Sequence, residues 1–92
     1  MIKGFKDKDA EELYNSGHNI KYKAFERIAL RKFDMIEAAS KLIDLKTLPG
    51  NRLEPLHGDR IGQHSIRIND QFRICFVWKD DGAHDIEIVD YH

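Results

Sequence analysis

The chain of 92 residues closes on Asp90-Tyr91-His92, three adjacent groups able to accept, donate or exchange a proton. An imidazole titrates near pH ~6.5, so His92 can change charge around neutrality, and Asp90 or Tyr91 can orient it or share the transfer. The plain alternative is a chain that stops in a strand with Tyr91 packed. Upstream, Arg67 and Arg73 flank Asn69-Asp70-Gln71. If they face each other across a strand pair, the repulsion costs up to ~1 kcal/mol. Either a carboxylate offsets it, Glu87 being the obvious candidate, or the two guanidinium heads splay into water over packed stems, or the pair cradles an anion such as phosphate, which arginine can grip bidentately. His57, ahead of Gly58 in a turn, is the second histidine that could serve as acid or base. The other histidines, His18, His64 and His84, show neither helical ligand spacing nor a cysteine partner pattern, so no metal site is expected. No glycine-rich phosphate loop or nucleophile elbow is present, and no cofactor is expected.

The elements that must carry these groups follow from periodicity. His64, Ile66 and Ile68 alternate with polar residues, as do Phe72, Ile74, Phe76 and Trp78 with Arg73, Cys75 and Val77. For the apolar sets to share a face the connection must be odd, so Asn69-Asp70-Gln71 is read as a three-residue loop that sets Arg67 opposite Arg73. The same parity makes Asp80-Asp81-Gly82 a second three-residue loop, after which Ile86 and Ile88 alternate with Glu87 and Val89, and Val89 falls opposite Arg73. Leu53–Leu56 reads as an edge strand because Pro55 cannot donate to a ladder, and Ile2–Phe5 reads as another edge.

The first half is helical. Asp7 or Asp9 can cap a helix over residues 8 to 16 that stops at Gly17. From Ile20 to Leu45 there is no Pro or Gly, and Phe25, Ile28, Ala29, Phe33, Ile36 and Ile43 recur at helical steps, which predicts one long amphipathic helix with room for a break near Tyr22. Helices followed by an antiparallel meander give an α+β domain spanning residues 1–92. Its two N-terminal helices pack on the face lined by Ile66, Phe72, Ile74, Phe76, Ile86 and Ile88. The other face, with Ser65, Arg67, Arg73, Cys75, Glu87 and Tyr91, is expected to be open and titratable.

Composition narrows the class. With 41% hydrophobic and 34% charged residues the chain suits a soluble globular domain, and it has neither a membrane-length apolar run nor a signal-peptide start, so the cytoplasm is the expected location. The lone Cys75 excludes an internal disulfide and reads as a packed or half-exposed thiol. A net charge of −1 gives no overall electrostatic case for nucleic acid, although Lys21, Lys23, Arg27, Arg31 and Lys32 form a local basic segment.

The order Leu53-Glu54-Pro55-Leu56-His57-Gly58-Asp59, then Arg60–Ile68 with its SIRI, Phe72-Arg73-Ile74-Cys75-Phe76 and the closing Asp90-Tyr91-His92 resembles the HigB-type toxins of the RelE/ParE superfamily. The resemblance implies a RelE-like fold and a ribosome-dependent endoribonuclease that cuts mRNA in the decoding site. It also implies a helix-turn-helix, HigA-like antitoxin as partner, with a complex made oligomeric through that antitoxin. By motif position Asp90, Tyr91 and His92 match the family's terminal catalytic residues and Arg73 its strand arginine; Arg60 and Arg67 are the expected RNA-binding residues. The chain departs from the better-known branch in carrying Glu54 where that branch has His and His57 where it has Lys, and its near-neutral total charge departs from the usual basic character. Other superfamily members poison gyrase without nuclease activity, which leaves a protein-binding role as the alternative.

Overall fold

The computed structural model describes residues Met1–Tyr91; His92 lies outside the described residues. Helix α1 spans Lys8–Ser16, as the sequence predicts. The Asp7 carboxylate caps it by accepting the Asp9 and Ala10 N–H groups at 2.9 and 3.2 Å, and Gly17 ends it at φ 84°, a conformation glycine adopts without penalty. The second Asp7 oxygen accepts the Tyr22 hydroxyl at 3.0 Å and the Ile88 N–H at 3.2 Å. Burial first, and then Asp7, pushes the Tyr22 phenol far above its ordinary range.

The long helix expected from Ile20 to Leu45 is broken into three pieces. A 3-10 turn covers Ile20–Phe25, α2 covers Glu26–Ala38, and one short turn, α3, covers Ile43–Lys46. Tyr22 takes a non-helical conformation at φ −112°, ψ 16°, where the break was allowed for. The second break, at Ala39, has a local cause: one Asp44 carboxylate oxygen accepts the N–H groups of Ser40 and Lys41, each at 3.0 Å. A short acidic side chain thus offers the backbone an alternative to the helical ladder. Ile43, counted in the apolar stripe, is accordingly 55% exposed.

The sheet has four antiparallel strands in the order β1-β2-β3-β4, with β1 at Glu54–Pro55, β2 at His64–Arg67, β3 at Phe72–Lys79 and β4 at Gly82–Asp90. The segment Ile2–Phe5 lies along β4 through two parallel bridges, Ile2 to Ala83 and Phe5 to Ile86, so the expected edge strand is present only in part. In the first hairpin Arg67 pairs with Arg73, and the Asn69 side chain accepts the N–H groups of Gln71 and Phe72, which closes the turn. The second hairpin differs from expectation. Lys79 pairs with Gly82, so Asp80-Asp81 is the turn and the additional residue enters the strand instead, as a bulge at Asp85 with φ 51°. Beyond the bulge the register is the expected one, with Val89 opposite Arg73.

The core lies between the helices and one sheet face. Leu13 of α1 and Ala29, Phe33 and Ile36 of α2 are fully buried against Ile66, Ile74, Phe76 and Ile86. Each such large side chain contributes about 1.5–3 kcal/mol by leaving water. Phe5, Tyr14 and Phe33 pack edge-to-face or tilted with centroids 5.6–5.8 Å apart, joining the N-terminal segment to both helices.

Candidate functional site

Register places Ser65, Arg67, Arg73, Cys75 and Glu87 on the face away from the helices, but that face is not bare. Ser65 and Cys75 are fully buried, and the side chains of Arg73 and Glu87 are only 11% and 14% exposed. The cover comes from the segment between β1 and β2 and from the arginines themselves. Arg60, at the end of a 3-10 turn over Gly58–Arg60, donates Nη1 to Gln63 at 3.1 Å and Nη2 to Glu87 Oε1 at 3.2 Å. Lys6 reaches the other Glu87 oxygen at 3.5 Å. Beneath this layer burial pushes the Cys75 thiol up to about 11, so it is a packing group rather than a nucleophile.

Glu87 therefore pairs with Arg60 and Lys6, not with Arg67 or Arg73 as the sequence suggested. Arg67 pairs with Asp70 in the adjoining turn. The Arg73 guanidinium donates Nε to the Ser65 hydroxyl at 2.7 Å and Nη2 to the Arg52 carbonyl at 2.6 Å, with Ser65 O at 3.4 Å, and Glu54 lies 3.7 Å from Nε. The Nε–Nη2 fork expected to grip an anion bidentately is thus occupied by the protein, and Nη1 is left without a hydrogen-bond partner among the described residues. Arg52 itself takes φ 46°, in the left-handed region that a side chain disfavours.

Asp90 falls on the opposite parity, that of Phe72 and Ile88. Asp90 pairs with Phe72 in the ladder and one of its carboxylate oxygens accepts the Gln71 side-chain amide at 3.1 Å. Tyr91 donates its N–H to the Gln71 carbonyl at 2.6 Å and is 42% exposed. Gln71, which alternation assigned to a loop, therefore clamps the chain end to the tip of the first hairpin; only its adjacency to Phe72 in the parity argument could have signalled this. His57 stands exposed before the 3-10 turn, its carbonyl accepting the Arg60 N–H at 3.2 Å, and no side-chain hydrogen bond or ion pair joins it to Arg73 among the described residues. Of the sequence candidates, Arg73 and Arg67 are brought together with Ser65. Asp90 and Tyr91 gather at Gln71, Arg60 covers Glu87, and the His57 side chain makes no hydrogen bond or ion pair with them.

Two further residues belong to this surroundings and were missed or misread. Asn51 is fully buried, and Lys32, counted in the local basic segment, is 7% exposed. Lys32 Nζ donates to Asn51 Oδ1 at 2.6 Å, and burial together with nearby Arg31 and Arg67 lowers the lysine's pKa. An open groove of about 420 Å³ lies on the helical side, lined by Arg31, Asp34, Met35, Ala38, Ala39, Asp44 and Leu48.

Comparison with known proteins agrees with this fold. In fold, the chain is similar to YafQ from E. coli strain BL21(DE3), with a TM-score of 0.60 and 11% identity over 98% of this chain and 91% of that one. It is also similar to a YoeB/ParE toxin from Agrobacterium tumefaciens, with a TM-score of 0.57 and 20% identity over 99% and 97%. In sequence it is 40% identical to Toxin HigB-1 of Vibrio cholerae serotype O1 over 85 residues, 90% of each chain. It is 31% identical to the Endoribonuclease HigB of Proteus vulgaris across the full length of both. Residues 3–92 match the model of a family described as the RelE-like toxin of type II toxin-antitoxin system HigB, and the chain belongs to that family of HigB-like toxins.

Proposed function

We propose that this toxin is a ribosome-dependent endoribonuclease that cuts mRNA without a metal, using the RNA 2′-OH as nucleophile. Such a reaction needs a base for the 2′-OH proton, an acid for the leaving 5′ oxygen and a cation where charge builds on phosphate. The observation that carries the reading is the Arg73 guanidinium, fixed through Nε and Nη2 so that Nη1 is a preorganised donor. A held donor costs no reorganisation at the moment of reaction. Arg67 and Arg60 flank it as RNA-binding groups.

His92 is assigned the principal proton transfer by its match to the family's terminal motif, with Asp90 and Tyr91 positioning it. His57 is the reserve acid or base. The ribosome is assigned the alignment of the mRNA, since proximity can supply roughly 7–11 kcal/mol of a barrier and free RNA is then a poor substrate. As a type II toxin the protein has an antitoxin partner; a helix-turn-helix antitoxin, oligomerising the complex in the cytoplasm, fits the family.

A second reading, a gyrase-directed or other protein-binding toxin, draws on one specific observation: Arg67 and Arg73 each have a carboxylate nearby, Asp70 and Glu54. Incubating the purified protein with programmed ribosomes and mapping mRNA ends separates the two. Codon-localised cuts that disappear with Arg73→Ala and His92→Ala support the nuclease. Intact mRNA with wild-type protein, beside inhibition of gyrase supercoiling, supports the second reading.

A further inference from the structure

A charged lysine and an asparagine are buried behind the arginines, where apolar residues of the same volume would pack at lower cost. Their contacts lead to one place. Lys32 Nζ holds Asn51 Oδ1 at 2.6 Å, and Asn51 Nδ2 holds the Leu45 carbonyl at 3.1 Å, so the asparagine is tied to α2 on one side and α3 on the other. The Asn51 carbonyl accepts the Arg67 N–H at 2.7 Å. The next carbonyl, that of Arg52, accepts Arg73 Nη2 at 2.6 Å, and Arg52 itself sits at φ 46°. Backbone strain of this kind persists where the surroundings over-determine it, and it clusters at functional sites. The Arg52 side chain itself is exposed.

We propose that the Asn51–Arg52 corner, pinned to the helices by Lys32, is a positioning element that aims the Arg73 guanidinium through the Arg52 carbonyl and so presents Nη1 to a substrate phosphate. The aiming stands on the geometry alone, and its consequence for cleavage rests on the nuclease reading above. Lys32 and Asn51 act through Arg52, and Arg52 acts through its backbone rather than its charge. A change at the corner therefore alters turnover more than RNA affinity.

The test exploits the exposed Arg52 side chain. Arg52→Gly keeps a carbonyl and adopts positive φ freely, whereas Arg52→Pro locks φ near −65° and must redirect it. Hydrogen exchange of the Arg73 Nε–H, followed by ¹⁵N NMR, reports how firmly the guanidinium is held, and cleavage on programmed ribosomes reports kcat and KM. In Arg52→Gly the exchange rate stays within about threefold of the parent. In Arg52→Pro it rises about tenfold or more, and kcat falls at least about tenfold below that of Arg52→Gly with KM within about threefold, as expected for lost orientation. If Arg52→Pro does not fold by circular dichroism, Asn51→Asp replaces it: it keeps the acceptor for Lys32, loses the donor to Leu45, and is expected to accelerate the exchange likewise. Equal Arg73 exchange in the folded variants overturns the proposal. Accelerated exchange with unchanged kcat in an active protein overturns its catalytic half. A wild-type protein that cuts no RNA refutes the nuclease reading instead, and the exchange comparison still decides the aiming.

Discussion

Arg67 and Arg73 are direct partners in the β2–β3 register, and their guanidinium groups turn to different acceptors: Arg67 to Asp70 in the turn, Arg73 back across the strand to Ser65 and the Arg52 carbonyl. The like-charge cost of a facing pair is relieved by divergence, without a shared counter-ion between them. The two arginines are consequently not equivalent. Arg67 ends in an exposed ion pair of small worth, whereas Arg73 is nearly buried with defined acceptors.

That asymmetry predicts the outcome of substitution. Arg73→Ala lowers cleavage about 10²–10³-fold, the usual cost of one lost transition-state donor. Arg73→Lys does not restore it, because a single ammonium cannot meet both Ser65 Oγ and the Arg52 carbonyl in the geometry of the fork. Mapping mRNA ends on programmed ribosomes measures both, and near-parental activity of Arg73→Lys would remove the fork from the argument.

Ser65 is fully buried and its hydroxyl is the Arg73 Nε acceptor at 2.7 Å. Ser65→Ala leaves that donor unsatisfied in a largely covered site and costs about 1–3 kcal/mol. Ser65→Thr retains the oxygen and recovers part of the loss. Urea midpoints of the three proteins check the order, and an unchanged midpoint for Ser65→Ala contradicts it.

Gly82 closes the second turn at φ 132°, and a Cβ there would stand 2.1 Å from the Met1 carbonyl oxygen, itself the acceptor of the Ala83 N–H. Both strain and clash oppose a side chain. Gly82→Ala is expected to cost about 2 kcal/mol or more and to lower Tm by roughly 8 °C or more. Gly4→Ala, with nothing within 4 Å of the added carbon, is the control and should stay within about 0.5 kcal/mol.

Burial raises the Cys75 thiol from its ordinary 9.0 to about 11. The folded state thus holds this proton more tightly than the unfolded chain does, so its contribution to stability is fully present below pH 9 and is lost as pH rises toward 11. Comparing urea midpoints of the parent and Cys75→Ala between pH 8 and pH ~10.5 isolates the effect: the parent falls more steeply. Iodoacetamide should also label the native thiol far more slowly than the unfolded one.

Much of this architecture was legible in the residues. Parity fixed the first hairpin, the Arg67–Arg73 pairing and the position of Val89, because a slip by one residue would have turned Ile66 and Ile74 outward. Parity could not say where in the second hairpin the odd residue lies, since a longer turn and a bulge at Asp85 give the same register at Arg73. The break at Ala39 escaped because the Asp44 carboxylate, not an apolar position, decides it. The site was legible as a set of groups but not as an environment. Nothing local in sequence says that Arg60 closes over Glu87, that Lys32 is turned inward, or that a carbonyl at Arg52 holds Arg73. Those contacts join distant segments.

The Asp7 carboxylate caps the first helix, receives the Tyr22 phenol and receives the amide of Ile88 two residues before Asp90. One side chain at the head of the first helix thereby fastens the strand that carries Asp90. Fraying of the first helix must loosen that strand, so protection of the helix α1 amides and of the Ile88 amide should vanish in a single cooperative opening, and any partner that grips helix α1 also steadies β4.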